Sequence, residues 1–356
     1  MEKKKIIIIS TTIILVILIA ILTIFLINKQ NEEKAKQALI DFVGLINEKD
    51  YEKMYEKTIS MNMSKEDFIA RNKNIYEGID CADIKIGIQN IEKQDGKYEI
   101  QYTQQMYTSA GEINFTNTAH IERENKEYKV KWSSQMIFPQ LGSTDKVRVS
   151  NLKAKRGDIL DRNGNKLAQD GYIASVGIVP GKLGDNKEEN ISKISELTGV
   201  STEYINKQLD ASYVKEDTFV PVKKIKDTDT NLKEQLLQIP GILINKVEAR
   251  VYPLGEDTGH LIGYVQAINK EELEANSGKG YNTNSIIGKS GLEKAYEDIL
   301  RGFDGTEIYI TDEDGNKKTT LSKQDKKDGK DVKLTIDSKL QSQIYQQMKN
   351  DKGFFL

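Results

Sequence analysis

Residues 156–168 read Arg156-Gly157-Asp158-Ile159-Leu160-Asp161-Arg162-Asn163-Gly164-Asn165-Lys166-Leu167-Ala168. Arg156, Asp158, Asp161 and Arg162 place two charges of each sign around a bend, so the four are expected to cross-pair. Gly157 lets the backbone bend, and Asn163-Gly164 fits a hairpin turn, where glycine accepts the positive φ that tight turns need. The plainest alternative is a solvated charged hairpin. Working outward, Val147-Arg148-Val149 alternates as a strand, and residues 172–179 read as another. Helices are predicted over 187–198, 202–209 and 230–238, the last stopped by Pro240-Gly241.

Further upstream the apolar period is helical: Ala35, Ala38, Leu39, Phe42, Val43 and Ile46 mark an amphipathic helix within 32–50. Ser64 offers an N-cap for a second stripe of Phe68, Ile69, Asn72, Ile75 and Tyr76. The period then changes to two in Ile84, Ile86 and Ile88, in Tyr98, Ile100 and Tyr102, in Ile113 and Phe115, and in Tyr128, Val130 and Trp132. These are strands of an antiparallel sheet, with Asp95-Gly96 a hairpin turn. Helices followed by a curved sheet give an α+β domain over about residues 31–140, and Gly142 with Ser143 marks a joint.

Residues 6–27 carry no charge and follow Lys3, Lys4 and Lys5. They are long enough for one membrane-spanning helix, with a cytoplasmic N-terminus and the bulk of the chain outside. Phe25-Leu26-Ile27-Asn28-Lys29 offers no small-residue cleavage site, so an uncleaved anchor is expected. A net charge of -2 gives nucleic acid no electrostatic footprint and sets that class of partner aside. Cys81 is the single cysteine, so no internal disulfide forms. His120 and His260 are the only histidines, too far apart in sequence for a local metal or triad motif, and His260, in an apolar run, is expected to be a packing residue. Asp312-Glu313-Asp314-Gly315-Asn316 lacks the spaced ligands of a calcium loop and reads as a hairpin turn. No cofactor or metal motif is found.

The 156–168 stretch resembles the segment that opens the pedestal, or dimerisation, domain of class B penicillin-binding proteins. Arg250-Val251-Tyr252-Pro253-Leu254-Gly255 with His260-Leu261-Ile262-Gly263 resembles a later segment of that domain. Gly288-Lys289-Ser290-Gly291-Leu292-Glu293 resembles a third, followed by Leu300-Arg301-Gly302-Phe303-Asp304-Gly305. Asp331-Val332-Lys333-Leu334-Thr335-Ile336-Asp337, expected as a strand, resembles the opening of the transpeptidase domain. Residues 31–142, between anchor and pedestal, are similar in pattern and position to the extra domain of low-affinity, methicillin-resistance (MecA) type members, which has a nuclear-transport-factor-two-like fold. The resemblance implies an α+β chain with a tip and transmembrane anchor at 1–30, that domain at 31–142, a pedestal at 143–328 and the start of a truncated transpeptidase domain at 329–356.

Penicilloyl-serine transferases need a Ser-x-x-Lys nucleophile, a Ser-x-Asn element and a Lys-Thr/Ser-Gly strand. Ser143-Thr144-Asp145-Lys146, Ser150-Asn151-Leu152-Lys153 and Ser212-Tyr213-Val214-Lys215 match the first string at its background rate, and none is placed to begin a helix. Ser60-Met61-Asn62 precedes them all, and Lys289-Ser290-Gly291 leads into a helix predicted over 292–300. No catalytic residue is therefore assigned. The resemblance implies a family of peptidoglycan D,D-transpeptidases inhibited by β-lactams, with peptidoglycan and drug reached only through the missing domain, and partners among cell-wall synthesis or division proteins of a Gram-positive-type bacterium. The other expectations are a natural non-catalytic pedestal protein, and an incomplete gene, prompted by the apolar end Gly353-Phe354-Phe355-Leu356. The helix at 338–349 is expected to lack packing partners, and residues 334–356 to exchange their amides rapidly.

Overall fold

The computed structural model describes residues 2–59 and 63–349. Ser60-Met61-Asn62 and Gly353-Phe354-Phe355-Leu356, both singled out above, lie outside the described residues. The described chain divides into two compact units, residues 1–153 with 304–326, and residues 154–303 with the chain from 327 onward.

In the first unit, α1 (Glu2–Asn47) is one uninterrupted helix, where an apolar span and a separate amphipathic helix were expected. The join Asn28-Lys29-Gln30-Asn31-Glu32-Glu33-Lys34 holds no glycine or proline, so nothing stops the helix there. The large apolar side chains between positions 15 and 27 are exposed, and the helix is long and apolar enough to cross a membrane. Further along, the same helix buries Ala35, Leu39, Phe42, Val43 and Ile46. α2 (Tyr51–Glu56) and α3 (Lys65–Gly78) follow, with Ser64 Oγ accepting from Asp67 N at 3.0 Å as an N-cap. β1 (Ala82–Gln94), β2 (Lys97–Thr108), β3 (Gly111–Glu124) and β4 (Glu127–Lys131) form an antiparallel sheet in that order. Phe68 of α3 seals the helices onto it, edge-on to Trp132 at 4.9 Å. β5 (Lys146–Leu152) joins strands Gly305–Thr311 and Lys317–Gln324 in a second antiparallel sheet. Their Ile308 and Ile310 are buried in the same core as α1, so residues 304–326 fold with the first unit although they lie within the 143–328 segment of the sequence. Between these strands Asp312 Oδ1 accepts from Asn316 N at 2.8 Å and closes a hairpin turn.

The second unit is built on β6 (Ile159–Leu160) and β7 (Lys166–Ile178). α4 (Lys187–Thr198) and α5 (Thr202–Leu209) lead to β8 (Val220–Lys226), and α6 (Thr230–Leu237) leads to β9 (Ile242–Val251). β7 is central, with β8 and β9 antiparallel on either side. Ile178, Leu183, Ile191, Ile194, Ile205 and Ile239 form its main helix-side core. The helix predicted over 292–300 is two short pieces, Gly291–Ala295 and Glu297–Leu300, broken at Tyr296 with φ -110° and ψ 23°. The strand expected over 331–337 shrinks to Val332–Lys333, parallel to β6.

The helix Ser338–Met348 is not partnerless. Asp337 caps it by accepting from Lys339 N at 3.0 Å and Leu340 N at 3.1 Å. Gln346 Nε2 reaches Asp257 Oδ1 at 3.1 Å, Ser342 Oγ bonds the same carboxylate, and Gln341 Nε2 donates to Asp257 O at 3.1 Å. The docking is polar, which a search for apolar periodicity passes over, and it leaves Leu340 and Ile344 exposed. Replacing Asp257 with Ala removes two charged-acceptor bonds. Amide exchange across Ser338–Met348 should then rise about 10–100-fold, measured by hydrogen-exchange mass spectrometry on the full chain; unchanged protection would show that the helix is held by something else.

Candidate functional site

Three stretches distant in sequence meet at one carboxylate. Arg156 comes from the extended residues before β6, Arg250 from the end of β9 and Glu293 from the helix Gly291–Ala295. Arg156 Nε donates to Glu293 Oε2 at 2.7 Å, and Arg250 Nε donates to Glu293 Oε1 at 2.8 Å. The Glu293 side chain is 0 % exposed, so each guanidinium compensates a charge that burial alone would make costly. Glu297 Oε2 adds a bond from Arg156 Nη2 at 2.7 Å, and Asp170 Oδ1 one from Arg250 Nη1 at 3.2 Å. Two further bonds reach backbone: Arg156 Nη2 to Glu293 O at 2.9 Å and Arg250 Nη2 to Gly157 O at 2.6 Å. Tyr281 closes the array by donating to Glu297 Oε1 at 2.9 Å; burial, then the Glu297 charge, push its phenol pKa up to about 12.

The expected cross-pairing of the four charges does not occur. Arg156 goes to Glu293 and Glu297, and Asp158 pairs with Lys166 at 2.9 Å. Arg162 Nε donates to Thr335 O at 2.7 Å. Asp161 accepts from Asn163 N and Asn165 N at 2.8 Å each and from Ser338 Oγ at 2.6 Å. Burial disfavours its charged form, but the Ser338 and Asn165 hydrogen bonds win and hold the carboxyl well below the usual range. The physical reason is coverage: residues 288–297 and 330–338 pass over the hairpin and take Arg156, Arg162 and one bond of Asp161, while Asp158 and the rest of Asp161 are met within the hairpin itself.

The other motif residues set the crossings. A Cβ on Gly157 would lie 2.1 Å from Lys330 O, and one on Gly263, at φ +74°, would lie 2.0 Å from Ser290 O. Gly288 and Gly291 also sit at close backbone approaches, where a Cβ would lie 2.1 Å from Glu293 O and 2.5 Å from Gly263 N, whereas Gly164 lies in an open turn. Tyr252 OH accepts from Val265 N at 3.0 Å, and burial raises its pKa. Pro253 is exposed in a turn that Gly255 N closes onto Tyr252 O at 3.0 Å, and Leu292 packs against the small core of Ile159, Leu167 and Leu300. His260 is exposed, against the expectation of a packing role: in a four-residue helix only Ile262 turns inward.

Every acid of this clamp is matched by a cation or a hydrogen-bond donor, an arrangement that ties chain segments together. A cleft of about 330 Å³ beside it shares Gly288 and Glu297; there Lys289 Nζ grips Glu272 through both oxygens at 2.5 and 2.6 Å. Ser143 lies in a bend, Ser150 on β5 and Ser212 in a turn, so none heads a helix with its lysine one turn on. Sequence reasoning missed Asp170, Glu297, Tyr281 and Asp257. Glu293 and Glu297 lie four residues apart, which in the helix predicted over 292–300 is a like-charged pair that calls for a cation from elsewhere.

Comparison with known proteins shows the family. Residues 151–334 match the penicillin-binding protein dimerisation domain, and residues 34–145 match the NTF2-like N-terminal transpeptidase domain. The chain belongs to the class B penicillin-binding proteins. It is 36 % identical over 341 residues to Penicillin-binding protein 3 of Bacillus subtilis, covering 93 % of this chain and 50 % of that protein. It is 31 % identical over 218 residues to the peptidoglycan D,D-transpeptidase MrdA of Escherichia coli, covering 56 % of this chain and 32 % of that one. The chain thus spans half or less of the length of these relatives. A solved complex of PBP2 with MreC from Helicobacter pylori matches at 25 % identity and a TM-score of 0.37, over 58 % of this chain and 39 % of that one.

Proposed function

We propose that this chain is the membrane-anchored, non-catalytic N-terminal part of a peptidoglycan D,D-transpeptidase. The observation that supports the reading is the clamp on Glu293: it ties all three pedestal motifs into one rigid body, which suits a support. In this reading the domains are those set out at 31–142 and 143–328, the bulk of the chain faces the cell wall of a Gram-positive-type bacterium, and its partners are cell-wall synthesis or division proteins. The full chain incubated with a fluorescent penicillin should form no covalent adduct, and a labelled band resistant to denaturation would overturn the proposal. The finer assignment to the low-affinity, methicillin-resistance type draws on residues 34–145. Drug affinity is set in a transpeptidase pocket, so its test is the acylation rate of a protein carrying that domain behind this pedestal.

A further inference from the structure

β1 runs alongside α1 in the opposite direction, pinned at both ends. At one end Asn47 Nδ2 donates to Ile84 O, and Ile84 N donates back to Asn47 Oδ1, both at 2.9 Å. At the other, Lys93 Nζ donates to Asn28 Oδ1 at 2.9 Å. The lengths agree: from Asn28 to Asn47 the helix rises about 28 Å, and from Ile84 to Lys93 the strand advances about 30 Å. Lys93 therefore lies level with Asn28, the first residue after the predicted membrane span 6–27, and the turn beyond Lys93 lies at least as far down.

A helix over residues 6–27 rises about 33 Å, enough to cross a hydrocarbon core of about 30 Å flanked by headgroup layers of roughly 5–7 Å. That puts Asn28 at the boundary and the β1–β2 turn in the headgroup layer. The turn is built for that layer and not for the core: residues 92–97 are all exposed and polar or glycine, while Tyr98 behind them is buried. We propose that the β1–β2 hairpin tip, Gln94 to Lys97, rests in the phospholipid headgroup layer, placed there by the continuous helix. Glu92 and Asp95 offset Lys93 and Lys97, so the contact comes from position and not from attraction to anionic lipid. The inference rests on α1 being a membrane anchor.

The test uses the full chain in vesicles with an environment-sensitive fluorophore at Gln94→Cys, at Lys97→Cys, or at Glu112→Cys on the opposite end of the sheet. Cys81 is the single native cysteine, and burial pushes its thiol pKa up to about 12, so maleimide at neutral pH goes to the new thiol. Nitroxide attached to lipid headgroups should quench both tip labels severalfold more than the Glu112→Cys label, equally in pure phosphatidylcholine and in phosphatidylcholine with phosphatidylglycerol. Equal, weak quenching at all three sites overturns the proposal, as does tip quenching that needs the anionic lipid. Flotation reports anchoring separately: a chain that does not float with vesicles overturns the anchor reading and this inference with it, whereas a floating chain with an unquenched tip overturns the inference alone.

Discussion

Glu293→Ala should unfold the second unit long before the first. The change leaves the Arg156 and Arg250 side chains, 5 % and 1 % exposed, facing a void where a shared carboxylate had held both. Breaking a buried ion pair from one side costs about 3–5 kcal/mol, because the remaining charge has lost both water and partner. Glu297 and Asp170 moderate the loss, since each still holds one guanidinium. At about 2–4 °C per kcal/mol for a unit of this size, the melting transition of the second unit should fall by roughly 6–20 °C, while that of the first stays in place. Hydrogen exchange on the full chain assigns each transition to its unit. Glu293→Gln, which keeps the shape and one acceptor, should fall between the two. Replacing Arg156, Arg250 and Glu293 together with Met, Met and Leu should recover part of the loss, which separates unpaired charge from lost packing. A Glu293→Ala protein within about 1 kcal/mol of the parent would show that the clamp holds nothing.

The contrast between what the sequence revealed and what it hid follows the range of the interactions. α4 and α5 begin and end where periodicity and caps place them, because the signals that set a short amphipathic helix lie within it. The pedestal motifs were legible as strings, but their chemistry was not: Arg156 and its main partner Glu293 are 137 residues apart, and the local acids Asp158 and Asp161 looked like better partners. The continuity of α1 was hidden because the change of composition at Asn28 marks a change of solvent, not an end of helix. The docking of Ser338–Met348 on Asp257 was hidden because polar side chains make it. His260 drew attention through its neighbours, yet three residues around it share a helix too short to bury a whole face.

Gly157→Ala tests the same architecture through the backbone. Gly157 is where three other segments cross: its N donates to Leu300 O at 2.7 Å, its O accepts from Arg250 Nη2 at 2.6 Å, and an added Cβ would meet Lys330 O at 2.1 Å and Lys330 C at 2.4 Å. No side-chain rotation relieves contact between a Cβ and a main-chain carbonyl, so residues 329–331 must move. With them go the ladder bonds from Val332 N to Asp158 O and from Leu334 N to Leu160 O, both 2.8 Å. The cost should reach or exceed the upper end of overpacking, about 3 kcal/mol. Gly164→Ala is the matched control. Gly164 has φ +87° with nothing within 4 Å of an added Cβ, so it carries only backbone strain of about 1–2 kcal/mol. Chemical denaturation of the two variants should rank Gly157→Ala below Gly164→Ala, and exchange at the Val332 and Leu334 amides should rise in the first and stay protected in the second. The reverse ranking would mean that residues 327–334 are not packed against the hairpin, and that the charged stretch from Arg156 to Ala168 stands alone as a solvated turn.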